Sequence, residues 1–278
     1  MSNAVHAAAL STLALPFVVA LGVALLVWRT GIGGRAGLAV ALGVLAGATA
    51  GEIAVAGWPA LPPIGAIDKL PWLALAGAAL GLVSARLRDA RTRLLLAAAG
   101  AAGVVLWLGW PRLGVPDAQA WVAAILVWAG ASYALSRLGE VASPGGALLL
   151  VIGSFAAAGV AFYGSSYKMA QLVSVLAAAT AGAMAGAGAA GPGLGHAGRL
   201  AAALPLVGLV TILALYTQSE PFAMLLLLPV FLADSARRRL AGAGAGTPLT
   251  LLLLGGLALV PACAAVAVAY WRSGSLYF

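Results

Sequence analysis

Charge is what this sequence has least of. Of its 278 residues only 8% are Asp, Glu, Lys or Arg, against about 25% in an ordinary soluble domain. So few charges cannot cover the surface of a water-soluble fold this long, so a soluble enzyme is excluded. Acidic residues number seven and basic ones fifteen, and lysine occurs only at Lys69 and Lys168. The single cysteine, Cys263, rules out an intrachain disulfide and a Cys-rich metal site. It is expected to be a small core residue of an apolar helix. No pair of carboxylates shares a helix face, and no nucleophile stands with a matching base, so catalysis lacks its usual parts. A non-catalytic protein is expected, and no motif names a cofactor.

What is present is apolar: 63% of the residues are hydrophobic. Disordered chains are poor in such residues, so disorder is excluded as well, and an integral membrane protein remains. A spanning helix needs roughly 20 apolar residues. A membrane β-barrel would show short segments of alternating polarity. Here the runs are continuous and rich in Ala and Leu, so the expected class is all-α, a polytopic transmembrane helix bundle forming one domain over 1–278. Ten spans are read near 8–28, 36–57, 70–87, 93–110, 118–136, 145–163, 168–188, 199–217, 221–235 and 248–271. Breaks fall at Gly31–Gly34, Trp58-Pro59, Trp110-Pro111, Pro144-Gly145-Gly146, Gly191-Pro192-Gly193 and Pro248. The first run has no Lys or Arg before it, so it reads as a retained helix rather than a signal peptide.

The basic residues alternate with the spans. With the N-terminus outside, inner loops hold Arg29, Arg35, Arg86, Arg88, Arg91, Arg93, Arg137, Arg199, Arg237, Arg238 and Arg239, and outer ones Lys69, Arg112, Lys168 and Arg272. That asymmetry is the positive-inside pattern of short loops, and ten spans place the C-terminus outside too. Arginines spread this thinly form no nucleic-acid patch. The partners expected are the lipid bilayer and other membrane protein chains. The Ala, Gly and Arg bias is that of a GC-rich coding sequence, and a bacterial cytoplasmic (inner) membrane is the expected location. Trp58, Trp72, Trp110, Trp121, Tyr163, Tyr216, Tyr270 and Trp271 gather on the outer side as an interfacial belt.

Small residues at helical spacing mark close helix contacts. Gly43, Gly47 and Gly51 lie four apart, as do Gly77 and Gly81, and Gly182 and Gly186. The second helix is therefore expected at the centre of the bundle. Glu52 follows its glycine stripe, inside the span, where a carboxylate facing lipid is costly. It is expected to face the bundle or a water-filled outer vestibule with Lys168, Gln171 and Glu220. The two-His pair His6 and His196 falls on opposite sides and cannot form one metal site. Gly186-Ala187-Gly188-Ala189-Ala190-Gly191 matches G-x-G-x-x-G but lacks the strand and βαβ context that a dinucleotide site needs. Ser165-Ser166-Tyr167-Lys168 matches S-x-x-K without the accompanying hydrolase motifs.

Two roles follow. Scarce polar groups at mid-depth (Thr49, Ser132, Ser154, Ser174, Thr180 and Thr211) suit a structural or accessory subunit of a larger membrane complex. The alternative is a small transporter or channel for a hydrophobic or lipid-like substrate, with Glu52 as the coupling or gating group. In size and span count the chain resembles the drug/metabolite-type exporters. The likeness ends there, because those families keep both termini inside and none of their characteristic residues occurs here.

Overall fold

The computed structural model describes residues 6, 8–30, 36–141, 143–164, 166–188, 194–241 and 248–274. The Gly31–Gly34 and Gly191-Pro192-Gly193 breaks, Arg35 and Ser165 lie outside them. Among the described residues there are helices and no strands. Helix α1 (Leu10–Arg29) opens with a π-helical turn at Leu10–Ala14. It is followed by α2 (Ala36–Ala56), α3 (Leu70–Ser84, led in by a 3-10 turn at Ile67–Lys69), α4 (Ala90–Leu113) and α5 (Ala118–Glu140). Then come α6 (Ser143–Tyr163), α7 (Tyr167–Gly188), α8 (Gly195–Tyr216), α9 (Pro221–Leu225), α10 (Ala233–Ala241) and α11 (Pro248–Gly274). All but α9 and α10 are long and apolar enough to cross a membrane, nine among the described residues.

Local chemistry sets several ends. Asp89 caps α4 by accepting from the Thr92 amide at 2.8 Å. Asp117 caps α5 through the Gln119 amide at 3.0 Å. Gly57 (φ +90°) takes the left-handed turn that closes α2. Prolines stand in first turns, where their missing N–H costs nothing, at Pro71 and Pro221.

The packing corrects several expectations. The fourth helix does not stop at Trp110-Pro111: α4 runs through Pro111 to Leu113, so proline falls in its last turn. Pro205 lies within a continuous α8, whose neighbours hold the backbone around it. Cys263 is exposed on α11 rather than in the core. The most deeply buried spans are α8, α7 and α6, with 83%, 72% and 67% of their most apolar stretches buried, followed by α2 at 44%.

Small residues explain how α8 is surrounded. A Cβ on Gly77 would meet the Leu200 carbonyl oxygen, and one on Gly81 the Ala197 Cα and the His196 carbonyl, so α3 and α8 touch backbone to backbone and antiparallel. On the α2 side, a Cβ on Gly195 would stand 2.9 Å from the Gly37 Cα, and one on Gly198 2.7 Å from Val40 Cγ1. The α2 stripe packs on α1 and α7 instead. A Cβ on Gly43 would lie 2.8 Å from the Ala20 carbonyl, on Gly47 2.5 Å from that of Pro16, and on Gly51 2.5 Å from Val175 Cγ1. Lipid supplies no hydrophobic drive between helices, so this close dispersion contact holds the bundle together.

These pairings give the bundle two unlike ends. One carries the arginine-bearing termini of α1, α4, α5, α8 and α10. The other carries the aromatic termini: Tyr163 meets Tyr270 ring to ring at 5.2 Å, the Tyr216 hydroxyl donates to the Leu108 carbonyl at 2.9 Å, and Lys69 Nζ donates to that of Trp107 at 3.0 Å.

Candidate functional site

The expected ninth helix, 221–235, is where the structure differs most from the sequence reading. It is not one helix but three short pieces. Helix α9 ends at Leu225, a 3-10 stretch covers Leu228–Leu232, and α10 begins at Ala233. Pro229 is the cause: it has no N–H to give to the Leu225 carbonyl four residues earlier. The turn is closed by tighter bonds, from the Leu227 amide to Met224 O at 3.2 Å and from Val230 to Leu227 O at 3.2 Å. The broken segment nevertheless runs the length of the bundle. At the aromatic end, a Cβ on Gly164 would stand 2.6 Å from Ser219 Oγ. At the arginine end, Arg238 Nη2 donates to the Glu140 carbonyl at 2.6 Å.

Gly130 and Gly153 make room for it. Cβ atoms there would lie 3.0 Å from Leu228 Cδ2 and 3.2 Å from Phe231 Cζ. Between the broken segment, α5, α6 and α8 lies a cavity of about 190 Å³, lined by residues such as Ala134, Leu138, Gly153, Ala203, Val207 and Leu228. Ser219 is the one hydroxyl-bearing residue on its wall. Irregular backbone at membrane depth is tolerated where it is buried in protein or lines a cavity, and here Leu225, Leu227 and Leu228 do line one.

Several described hydroxyls at mid-depth are bonded within their own helices, while Ser132 Oγ is buried without a partner. The hydroxyls of Ser174, Thr180 and Thr211 turn back onto carbonyls of their own helices at 2.9, 2.8 and 2.7 Å. Among the described residues, no group of three His, Cys, Asp or Glu side chains could hold a metal ion.

The residues singled out from sequence are placed as follows. Glu52 is buried in α2, 5% exposed, and among the described residues it has no hydrogen bond or ion pair. A charged group that acts on it is Asp68, whose own oxygens accept from the Gly65 amide at 2.9 Å and the Ala60 amide at 3.3 Å. Lys168 is exposed at the start of α7, and Gln171 is half-buried one turn further on. Glu220 precedes α9 without capping it through its side chain. No hydrogen bond or ion pair joins these four residues to one another, and none of them lines the cavity. Sequence reasoning missed the cavity itself. Its signal was Pro229 within an apolar run too short for a span, with Gly130 and Gly153 on distant helices.

At the arginine end, Asp234 is buried and pairs with Arg237 at 3.0 Å and Arg238 at 2.7 Å. At the same end, Arg93 Nη1 donates to His196 Nε2 at 3.0 Å. Arginine has no lone pair to offer, so this nitrogen is the acceptor and the ring proton sits on Nδ1. Arg199 has a buried Nε with no partner.

In comparisons with known proteins, no protein family, curated protein or solved structure matches this chain.

Proposed function

We propose that this integral membrane protein is a non-catalytic carrier for a hydrophobic, lipid-like molecule, and that the cavity beside the broken segment is its binding site. The observation that carries the reading is the pairing of irregular backbone with an apolar cleft between that segment, α5, α6 and α8. Discontinuous helices of this kind line the substrate sites of transporters, and a wall that is apolar but for Ser219 selects an apolar cargo. The broken segment serves as a tenth crossing, and both chain ends lie outside a bacterial cytoplasmic membrane. The arginine-rich end then faces the cytoplasm, in accord with the positive-inside pattern. Glu52, a buried carboxyl without a partner, is assigned the coupling role through uptake of a proton or cation.

The second reading is an accessory subunit of a larger membrane complex. The self-bonded hydroxyls of Thr180 and Thr211 favour it, since they leave no route for a polar solute. One experiment separates the two. The chain alone is placed in liposomes with a fluorescent single-chain lipid, and leaflet-to-leaflet transfer is followed by quenching from outside. The carrier reading expects protein-dependent transfer that Val207→Trp abolishes by filling the cavity. No transfer by the chain alone, with stoichiometric partner chains retained in mild detergent, overturns it in favour of the subunit.

A further inference from the structure

Arg199, Ala203 and Val207 are spaced four residues apart on α8 and so share one face. Ala203 and Val207 line the cavity, and Val210 and Ala214 continue the stripe toward the aromatic end. Arg199 therefore stands at the arginine-end mouth of an otherwise apolar stripe. Its Nη1 lies 4.0 Å from where a Cβ on Gly139 would be, next to the cavity residue Leu138.

The surroundings of Arg199 are cationic and unpaid. Among the described residues it makes no hydrogen bond or ion pair, and its Nε is buried without a partner. Arg93 acts on it electrostatically, and both arginines act on His196. Arg93 spends a donor on His196, which brings no negative charge. The nearby acids are committed elsewhere. Asp89, which feels Arg93, accepts from the Thr92 amide and hydroxyl at 2.8 and 2.7 Å. Glu140 pairs with Arg137 at 3.2 Å, and Asp234 with Arg237 and Arg238. Arg93 has Asp89 within electrostatic reach, but among the described residues no acid pairs with Arg199, and a guanidinium left so calls for an anion.

We propose that this corner holds the phosphate headgroup of a single-chain amphiphile whose acyl chain lies in the cavity. The proposal rests on the carrier reading and deepens it by naming the cargo class. A phosphate monoester carries close to two negative charges and three strong acceptor oxygens, which suits two arginine forks. The tail follows from continuity: the stripe that begins at Arg199 leads directly into the apolar wall. At the depth of a bilayer interface, a lipid phosphate is the anion that comes with such a tail attached.

The test uses the full-length chain in a neutral detergent and native mass spectrometry. A lysophosphatidate and the monoacylglycerol of the same chain length are offered in equal amounts. The proposal expects the lysophosphatidate to be retained at least about tenfold better, the scale of charge-assisted hydrogen bonds. Arg199→Gln and Arg93→Gln erase that preference while keeping monoacylglycerol retention. Arg199→Lys, which conserves the charge, keeps most of it and guards against a mere folding defect. Val207→Trp lowers retention of both lipids. If both lipids are held equally by the unaltered chain, or the preference survives both glutamine variants, the headgroup site is overturned. The carrier reading then still stands provided that Val207→Trp lowers both. If Val207→Trp changes neither, the cavity reading falls and the proposal with it. If inorganic phosphate raises the thermal midpoint through Arg199 and neither lipid is retained, the site serves a free anion and the proposal is overturned.

Discussion

The Arg238 guanidinium donates to the main-chain carbonyl of Glu140 at 2.6 Å, and this bond ties the foot of the broken segment to the last residue of α5. Arg238 also bonds Asp234 at 2.7 Å, so the same side chain braces α10 internally. Above this anchor the chain is free to be irregular. The 3-10 stretch leans between α5 and α6, opposite Gly130 and Gly153, and leaves the cavity at its side.

Replacing Pro229 with Ala restores the amide that the Leu225 carbonyl lacks. Proline is about 3 kcal/mol less favourable than alanine inside a helix. Pro229→Ala is therefore expected to regularise the segment, raise the thermal midpoint and suppress lipid transfer. Hydrogen exchange over 225–233 together with the liposome assay checks this. Unchanged exchange would mean that packing against α5 and α6, rather than the proline, breaks the helix.

The glycines differ in cost. A Cβ on Gly81 would run into the backbone of His196 and Ala197, which cannot swing aside, whereas one on Gly22 meets nothing within 4 Å. Gly81→Ala is expected to destabilise the bundle by about 1–3 kcal/mol, as overpacking does. Gly22→Ala is expected to stabilise it by about 0.5–1 kcal/mol through helix propensity. Thermal unfolding of the two variants in one detergent gives the comparison.

Asp89 supplies a pH signature. Its carboxylate accepts from the Thr92 hydroxyl and amide, and those bonds hold its pKa below the ordinary 3.8. The folded value is the lower one, so the cap contributes in full above the unfolded pKa and is lost as pH falls through the folded one. Protection of the Thr92 amide, taken relative to intrinsic exchange at each pH, is expected to fall below about pH 4. Asp89→Asn is expected to remove that pH dependence.

Glu52→Gln tests coupling against structure. No ion pair or hydrogen bond is lost, so the thermal midpoint is expected to hold or rise. Transfer driven by an ion gradient is expected to fall to background while passive transfer continues. A large drop in stability would instead mark Glu52 as a structural residue.

Much of this protein was legible without coordinates, for reasons that act locally. Apolar runs of about 20 residues leave a chain no other solvent than lipid, and their backbones no other pairing than the helix. The caps at Asp89 and Asp117 are equally local, with bonds that reach only three residues, although the sequence reading passed over them. The glycine stripes at Gly43, Gly47 and Gly51, and at Gly77 and Gly81, mark close faces, because a missing side chain is a property of the residue itself. Which helix those faces meet is not. The Gly77 and Gly81 stripe makes α8 central only because α3 lies antiparallel on Leu200 and Ala197. The cavity belongs wholly to the tertiary structure. It arises where Pro229 denies one hydrogen bond and where Gly130 and Gly153, from two other helices, leave space for Leu228 and Phe231. Arg199 reads in the sequence as one topology charge among eleven. Its place near Gly139 of α5, within reach of Arg93 and with no ion pair among the described residues, depends on how α4, α5 and α8 come together, which no local propensity encodes.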